Sequence, residues 1–200
     1  FVTHEYFHLY NVKAIRPIEL GPFDYAREVF TPMLWVSEGF TVYYESQLLR
    51  RAGLVSGDYV LSELSSFIRT VESREGHRHM SLRQSSYDIW LNFFNRNPNG
   101  AETRISYYDK GPILGLLMDI AIRHASGGAK SLDDVMRLLY RRYYQEAGRG
   151  FTEEEFWSAC REVAGRPLSL MRRYVETTDE IDYDRCLAPA GLWLDRSTWT

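Results

Sequence analysis

Cysteine is scarce in this sequence, which limits the kinds of site that the chain can build. The 200 residues include two cysteines, Cys160 and Cys186. They could pair or stay free, but their spacing to each other and to the histidines matches no zinc-ribbon or zinc-finger pattern. We therefore expect two ordinary thiols, buried or partly buried in the core.

An excess of charge of one sign and a long apolar run are also missing. The chain has 24 basic and 27 acidic residues, for a net charge of −3, so it lacks the basic surplus that a nucleic-acid partner requires. Its longest apolar stretches, such as residues 112–118, fall short of the roughly 18 to 20 residues that cross a bilayer. We expect no nucleic-acid partner and no membrane span, while the compartment and the oligomeric state are not indicated.

The chain is rich in signals that start and stop helices. Ser81, Ser131 and Thr152 are suitable N-caps, Ser56 or Asp58 can cap the third helix, and Gly53 is a suitable stop after a long helical pattern. The predicted helices lie at about residues 1–15, 32–52, 57–74, 82–94, 108–124, 132–143, 153–163 and 168–177, with a polar loop at 95–100. These signals predict a mainly α fold of about seven or eight helices.

The most reactive pattern lies at the start of the first predicted helix, in His4-Glu5-Tyr6-Phe7-His8. Residues four apart lie one above the other on a helix, so both imidazoles can reach one metal ion. Glu5 lies beside them, where a carboxylate can take a proton from the attacking water. This HExxH pattern predicts a zinc site; the alternative is a histidine pair on the surface of an ordinary helix.

A catalytic zinc ion usually has three protein ligands, so the two histidines require a third. Glu38 lies in an apolar and aromatic segment, next to a glycine that allows another backbone to approach closely. It is the strongest candidate, although a carboxylate near a helix N-terminus is also favoured by the helix dipole. Glu45, two turns later on the same face, can support a ligating histidine by accepting its second N–H.

Three motifs follow one another along the chain. They are His4-Glu5-Tyr6-Phe7-His8, Trp35-Val36-Ser37-Glu38-Gly39-Phe40 continuing to Tyr44-Glu45, and Ser106-Tyr107-Tyr108-Asp109-Lys110-Gly111. Their order resembles the glycyl aminopeptidase family of gluzincin zinc metallopeptidases, whose members commonly carry a C-terminal PDZ domain. In related one-zinc aminopeptidases, a tyrosine in a Tyr-x-Lys-Gly segment hydrogen-bonds the oxyanion. The resemblance implies this role for Tyr108, whereas most of the chain's 14 tyrosines are expected to be packing residues.

The resemblance also implies an architecture, namely the helical C-terminal part of a thermolysin-like catalytic domain. We expect residues 1–180 to form this helical zinc-peptidase subdomain, truncated at its N-terminal side because the chain opens almost inside the motif. Residues 181–200 are expected to be an extended segment or a linker toward a further domain.

The expected activity is hydrolysis of peptide bonds with one bound Zn²⁺, with removal of N-terminal glycine or alanine as the family reaction. His4, His8 and Glu38 would hold the metal, and Glu5 and Tyr108 would act on the peptide substrate. An endopeptidase of thermolysin type uses the same zinc chemistry, and a helical interaction module without catalysis is a further alternative.

The residues that bind the substrate are not identified by the motifs. Asp24, Tyr25 and Arg27 lie in the long connection between His8 and Glu38 and are possible substrate contacts. The alternative is that they only shape the loop.

Overall fold

The computed structural model describes residues 1–94, 98–197 and 199 and confirms a mainly α fold. The α-helices are α1 Val2–Phe7, α2 Phe40–Arg51, α3 Gly57–Glu72, α4 Leu82–Tyr87, α5 Ile89–Phe94, α6 Gly100–Thr103, α7 Tyr107–Ala125, α8 Leu132–Leu139, α9 Glu153–Ala164, α10 Ser169–Glu176 and α11 Tyr183–Leu187. One π-helix, Trp35–Gly39, directly precedes α2, and a second, Tyr140–Glu146, follows α8. A parallel β-bridge joins Pro17 to Phe151.

Side-chain caps start several helices where the sequence predicts them. Ser56 accepts a hydrogen bond from the Tyr59 N–H at 3.1 Å at the start of α3. At α9, the Glu155 N–H donates to Thr152 at 3.2 Å while the Thr152 N–H donates back to the Glu155 carboxylate at 2.8 Å. Each cap satisfies a backbone N–H that lacks a partner inside its helix, and typically stabilises it by about 1 kcal/mol.

The core is organised around α7, which packs against the first π-helix, α2 and α3. Its side chains Ile113, Leu114, Leu117 and Met118 are buried almost completely. Burying a side chain of this size contributes about 1.5–3 kcal/mol, so α7 is a main source of stability. This packing fixes the start of α7 against the π-helix that carries Glu38.

Both cysteines are free and buried, as the sequence predicts. Within the described residues, no helix combines the length and the apolar character needed to span a membrane.

Some helix boundaries differ from those expected, because long predicted helices are divided into shorter segments. The first helix was expected to reach about residue 15, but α1 ends at Phe7 and irregular turns follow. In these turns the His8 ring lies 2.7 Å from the Asn11 carbonyl oxygen, and this local contact competes with a regular helix for that acceptor. The segment at 82–94 is interrupted at Asp88, and the loop at 95–100 lies partly outside the described residues.

The expectation of extended chain at 181–200 is wrong for the first half of that segment. Residues Tyr183–Leu187 form α11 and Ala188–Ala190 form a 3₁₀ turn. Tyr183, Cys186 and Leu187 are buried against the rest of the fold. Apolar burial at these three positions therefore favours a helix, although Pro189 and Gly191 in the same segment favour extended chain. The proposed domain boundary near residue 180 stays a prediction.

Candidate metal centre

Helix α1 and the turn after it bring the two histidines together. The rings of His4 and His8 lie edge to face with their centroids 4.7 Å apart, and their Nε2 atoms are 3.1 Å apart. Both side chains are partly buried, with 13% and 18% of their surface exposed. The i, i+4 spacing predicts this arrangement, because it places both rings on one face of the helix.

Glu38 completes a triangle with these two rings. Its Oε2 atom lies 3.4 Å from His4 Nε2 and 3.3 Å from His8 Nε2. Zinc binds nitrogen and oxygen ligands at about 2.0–2.1 Å, so two ligands in a tetrahedral site should be about 3.3–3.4 Å apart. The three observed separations match one face of such a tetrahedron, and the residues fit a zinc ion with one further position open.

A backbone carbonyl orients the ring of His8 toward the triangle. The His8 Nδ1 atom is 2.7 Å from the main-chain carbonyl oxygen of Asn11. A carbonyl can only accept, so Nδ1 carries the proton and the lone pair of a neutral His8 lies on Nε2, toward the triangle. Such a hydrogen bond on the far ring nitrogen is typical of histidines that bind metals.

Glu45 lies beside the other histidine, where the sequence analysis expects it. Its Oε2 atom is 3.6 Å from His4 Nδ1, which is close enough for charge attraction but longer than a hydrogen bond. At this distance Glu45 does not give His4 the hydrogen bond that the Asn11 carbonyl gives His8.

The charges of the centre stabilise each other. The hydrogen bond with Glu38 is the main reason that the pKa of His8 is raised, against the opposing effect of burial. Burial by itself would raise the pKa of Glu38, but its hydrogen bond and charge attraction to His8 lower that pKa on balance. The carboxylate is therefore kept ionised, the form in which it can bind a cation.

Tyr108 reaches the same centre from the first turn of α7. Its ring lies 6.4 Å from the His4 ring. Burial and the charge of Glu38 raise the pKa of Tyr108 well above its ordinary value. The phenol stays protonated and can act as a hydrogen-bond donor. Tyr107, which precedes it, is buried, and burial raises its pKa to about 12.

A contact between two glycines brings Tyr108 and Glu38 into reach of each other. A Cβ atom added to Gly39 would lie 2.6 Å from the Cα of Gly111, and the reverse distance is also 2.6 Å. Neither position has room for a side chain. The close backbone approach expected at Gly39 is confirmed, and Gly111 is the partner that the sequence analysis did not identify.

Glu5 lies at the rim of the centre. It is solvent-exposed, and its charge contributes to the raised pKa of His8. In the described part of the chain its carboxylate has no hydrogen bond or ion pair, so it is free to accept a proton.

The loop residues considered for substrate contact are exposed. Asp24 and Arg27 pair with each other at 3.0 Å, and Tyr25 is 90% exposed. Their role in substrate binding stays a prediction.

Comparison of the sequence with models of known protein families identifies the family of this chain. The model of the M61 glycyl aminopeptidase family matches residues 1–114, a segment that contains His4, His8, Glu38 and Tyr108. The chain belongs to the M61 glycyl aminopeptidase family. No curated protein matches it.

A solved structure extends the likeness of this M61 family member beyond residue 114. The crystal structure of an aminopeptidase N family protein from Idiomarina loihiensis superposes with a TM-score of 0.86 at 26% sequence identity. The match covers 92% of this chain and 32% of that protein. The helical fold of this chain is therefore that of about a third of a larger aminopeptidase family protein.

Proposed function

We propose that this chain carries the zinc centre of a peptidase and that the enzyme removes small N-terminal residues, glycine or alanine, from peptides. The observation that carries the proposal is the triangle of His4 Nε2, His8 Nε2 and Glu38 Oε2, whose sides of 3.1, 3.3 and 3.4 Å fit one zinc ion. Membership of the glycyl aminopeptidase family supports the substrate class.

His4, His8 and Glu38 would hold the ion through two nitrogens and one carboxylate oxygen, a ligand set known from catalytic zinc sites. When bound, zinc supplies Lewis acidity, which polarises the scissile carbonyl and acidifies water. Side chains of this protein carry out the proton transfers and bind the oxyanion.

Glu5 acts as the general base and then as the general acid. It takes a proton from the attacking water while the water oxygen forms a bond to the carbonyl carbon. When the carbon–nitrogen bond breaks, Glu5 returns the proton to the leaving amine. Its exposed position and its lack of a partner among the described residues suit a group that must accept and release a proton.

Tyr108 donates its O–H to the oxyanion that forms on the carbonyl oxygen. Its raised pKa keeps that proton in place at neutral pH. The position of its ring, 6.4 Å from the His4 ring, and the effect of the Glu38 charge on its pKa support this role. The Asn11 carbonyl accepts a hydrogen bond from His8 Nδ1, and the Glu45 carboxylate lies 3.6 Å from His4 Nδ1.

The first test compares wild type with Glu5→Gln and a matched control, Glu146→Gln, which changes an exposed carboxylate on the second π-helix. Zinc content is measured together with hydrolysis of alanyl and glycyl p-nitroanilides and of their N-acetylated forms. We expect zinc in all three proteins, hydrolysis of the free-amine substrates by wild type and the control, and no hydrolysis by Glu5→Gln.

The other outcomes contradict the proposal in distinct ways. Equal hydrolysis of acetylated substrates would indicate an endopeptidase of thermolysin type. Bound zinc without any hydrolysis by wild type would indicate a helical interaction module. Wild type without zinc would exclude a zinc peptidase.

A further inference from the structure

Asn11 is a fully buried polar residue that contacts both His8 and the π-helix that carries Glu38. Its side-chain nitrogen donates to the carbonyl oxygens of Val36 and Ser37 at 2.8 and 3.1 Å, and to the Thr41 hydroxyl oxygen at 3.1 Å. Two of these acceptors are carbonyls, which cannot donate, so the amide nitrogen and not its oxygen must face them. Val36 and Ser37 belong to the π-helix that carries Glu38.

The main chain of the same residue reaches the other side of the centre. The Asn11 carbonyl oxygen is the group that lies 2.7 Å from His8 Nδ1. One residue therefore holds the ring of one ligand through its backbone and the helical turn of another through its side chain. The two contacts lie on either side of the 3.3 Å separation between His8 Nε2 and Glu38 Oε2.

Thr41, in the first turn of α2, belongs to the same group of hydrogen bonds. Its hydroxyl donates to the Ser37 carbonyl at 2.7 Å and lies 3.4 Å from the Asn11 carbonyl. It is fully buried, like Asn11.

Packing alone does not account for an amide at this position. The Asn11 Oδ1 atom is buried and has no hydrogen-bond partner among the described residues. A buried acceptor without a partner is unfavourable, and an apolar side chain of similar size would avoid that penalty. What the amide supplies, and a leucine cannot, is its set of bonds to the π-helix.

We propose that Asn11 is a positioning residue of the zinc centre, which sets the separation of His8 and Glu38 by joining the turn after α1 to the π-helix. This inference rests on the proposed zinc function. It concerns metal affinity and geometry, and Asn11 itself touches neither the metal nor the substrate.

The test compares Asn11→Leu with Thr152→Ala, a control that removes the α9 cap and so lowers stability away from the centre. Zinc affinity is measured by competition with a chelator, Co²⁺ is used as a spectroscopic probe, and stability is measured by urea denaturation. Changes to groups that orient metal ligands typically weaken binding by about 10–100-fold, and we expect a loss of this size in Asn11→Leu. We also expect its Co²⁺ absorption bands to shift, with neither effect in Thr152→Ala.

Thr41→Val is a milder second variant, for use if Asn11→Leu fails to fold, because valine has nearly the same shape as threonine. It removes the Thr41 O–H, and we expect a smaller, few-fold loss of zinc affinity. Asn11 and Thr41 contact each other, so their effects are not independent, and the double variant should lose less zinc affinity than the product of the two single losses.

Two results would overturn the proposal. If the Asn11 and Thr41 variants bind zinc and Co²⁺ as wild type does, while stability falls as in the control, then Asn11 has only a structural role and the zinc centre stands without it. If wild type binds no zinc, the proposed function itself fails and this inference fails with it.

Discussion

Replacing Gly111 by alanine tests whether the glycine contact places Tyr108 against Glu38. The new Cβ would lie 2.6 Å from the Gly39 Cα and 3.2 Å from the Trp35 carbonyl oxygen. Carbon atoms in contact are about 3.5–4.0 Å apart, so the shortfall against Gly39 is about 1 Å. Both neighbours are backbone atoms, which cannot rotate away. The start of α7 must therefore move from the π-helix by roughly this distance.

We expect two effects of this movement. Overpacking of this kind lowers the free energy of unfolding by about 1–3 kcal/mol, less the gain of up to about 1 kcal/mol from alanine in a helix. A misplacement of about 1 Å at a catalytic group can reduce kcat/KM about 100-fold, and Tyr108 lies one turn from the substitution. Urea denaturation and hydrolysis of alanyl p-nitroanilide measure the two effects.

Two glycine variants serve as controls. In Gly115→Ala, on the same helix, the new Cβ would meet the Tyr43 ring at 2.9 Å, so we expect lower stability with nearly unchanged kcat/KM. Gly100→Ala, in α6, places the Cβ in open space, so it should leave kcat/KM unchanged and raise stability by at most about 1 kcal/mol. The reasoning is refuted if Gly111→Ala retains wild-type kcat/KM, or if Gly115→Ala loses as much activity as Gly111→Ala.

Further predictions concern single side chains near the start of α7. Tyr108→Phe should lower kcat by about 10²–10³-fold with zinc content unchanged, since it removes one oxyanion donor; an unchanged kcat would exclude that role. Lys110 is buried, and burial lowers its pKa from 10.5 to about 8, so between these values the unfolded chain binds more protons than the native one. Stability should therefore rise with pH from about 8 to 10 by a contribution on the order of 2 kcal/mol, and Lys110→Met should abolish this rise in urea titrations. A rise that persists in Lys110→Met would assign it to another group.

The sequence predicts the parts of this protein that depend on local chemistry. Ser56 and Thr152 cap helices through contacts within three residues, and the histidines of the HExxH pattern meet because they are one helical turn apart. Glu38 was a candidate from its surroundings, and the fold brings it within 3.4 Å of both histidines.

What could not be predicted depends on contacts between distant segments. The π-helix at Trp35–Gly39 has no simple periodic signal, and its hydrogen bonds with Asn11 span 25 and 26 residues of sequence. Gly111 has a role only once α7 lies against that π-helix. The helix Tyr183–Leu187 forms because its apolar side chains find a core that local sequence does not reveal.

The most direct test of the zinc centre is the zinc content of the purified chain by elemental analysis, with Glu38→Ala beside wild type. A three-ligand site predicts about one zinc per wild-type chain after removal of loosely bound metal, and a sharp loss in Glu38→Ala. A folded wild-type chain that takes up no zinc after loading, or a Glu38→Ala variant that keeps its zinc as wild type does, would contradict the assignment of His4, His8 and Glu38 as the ligands.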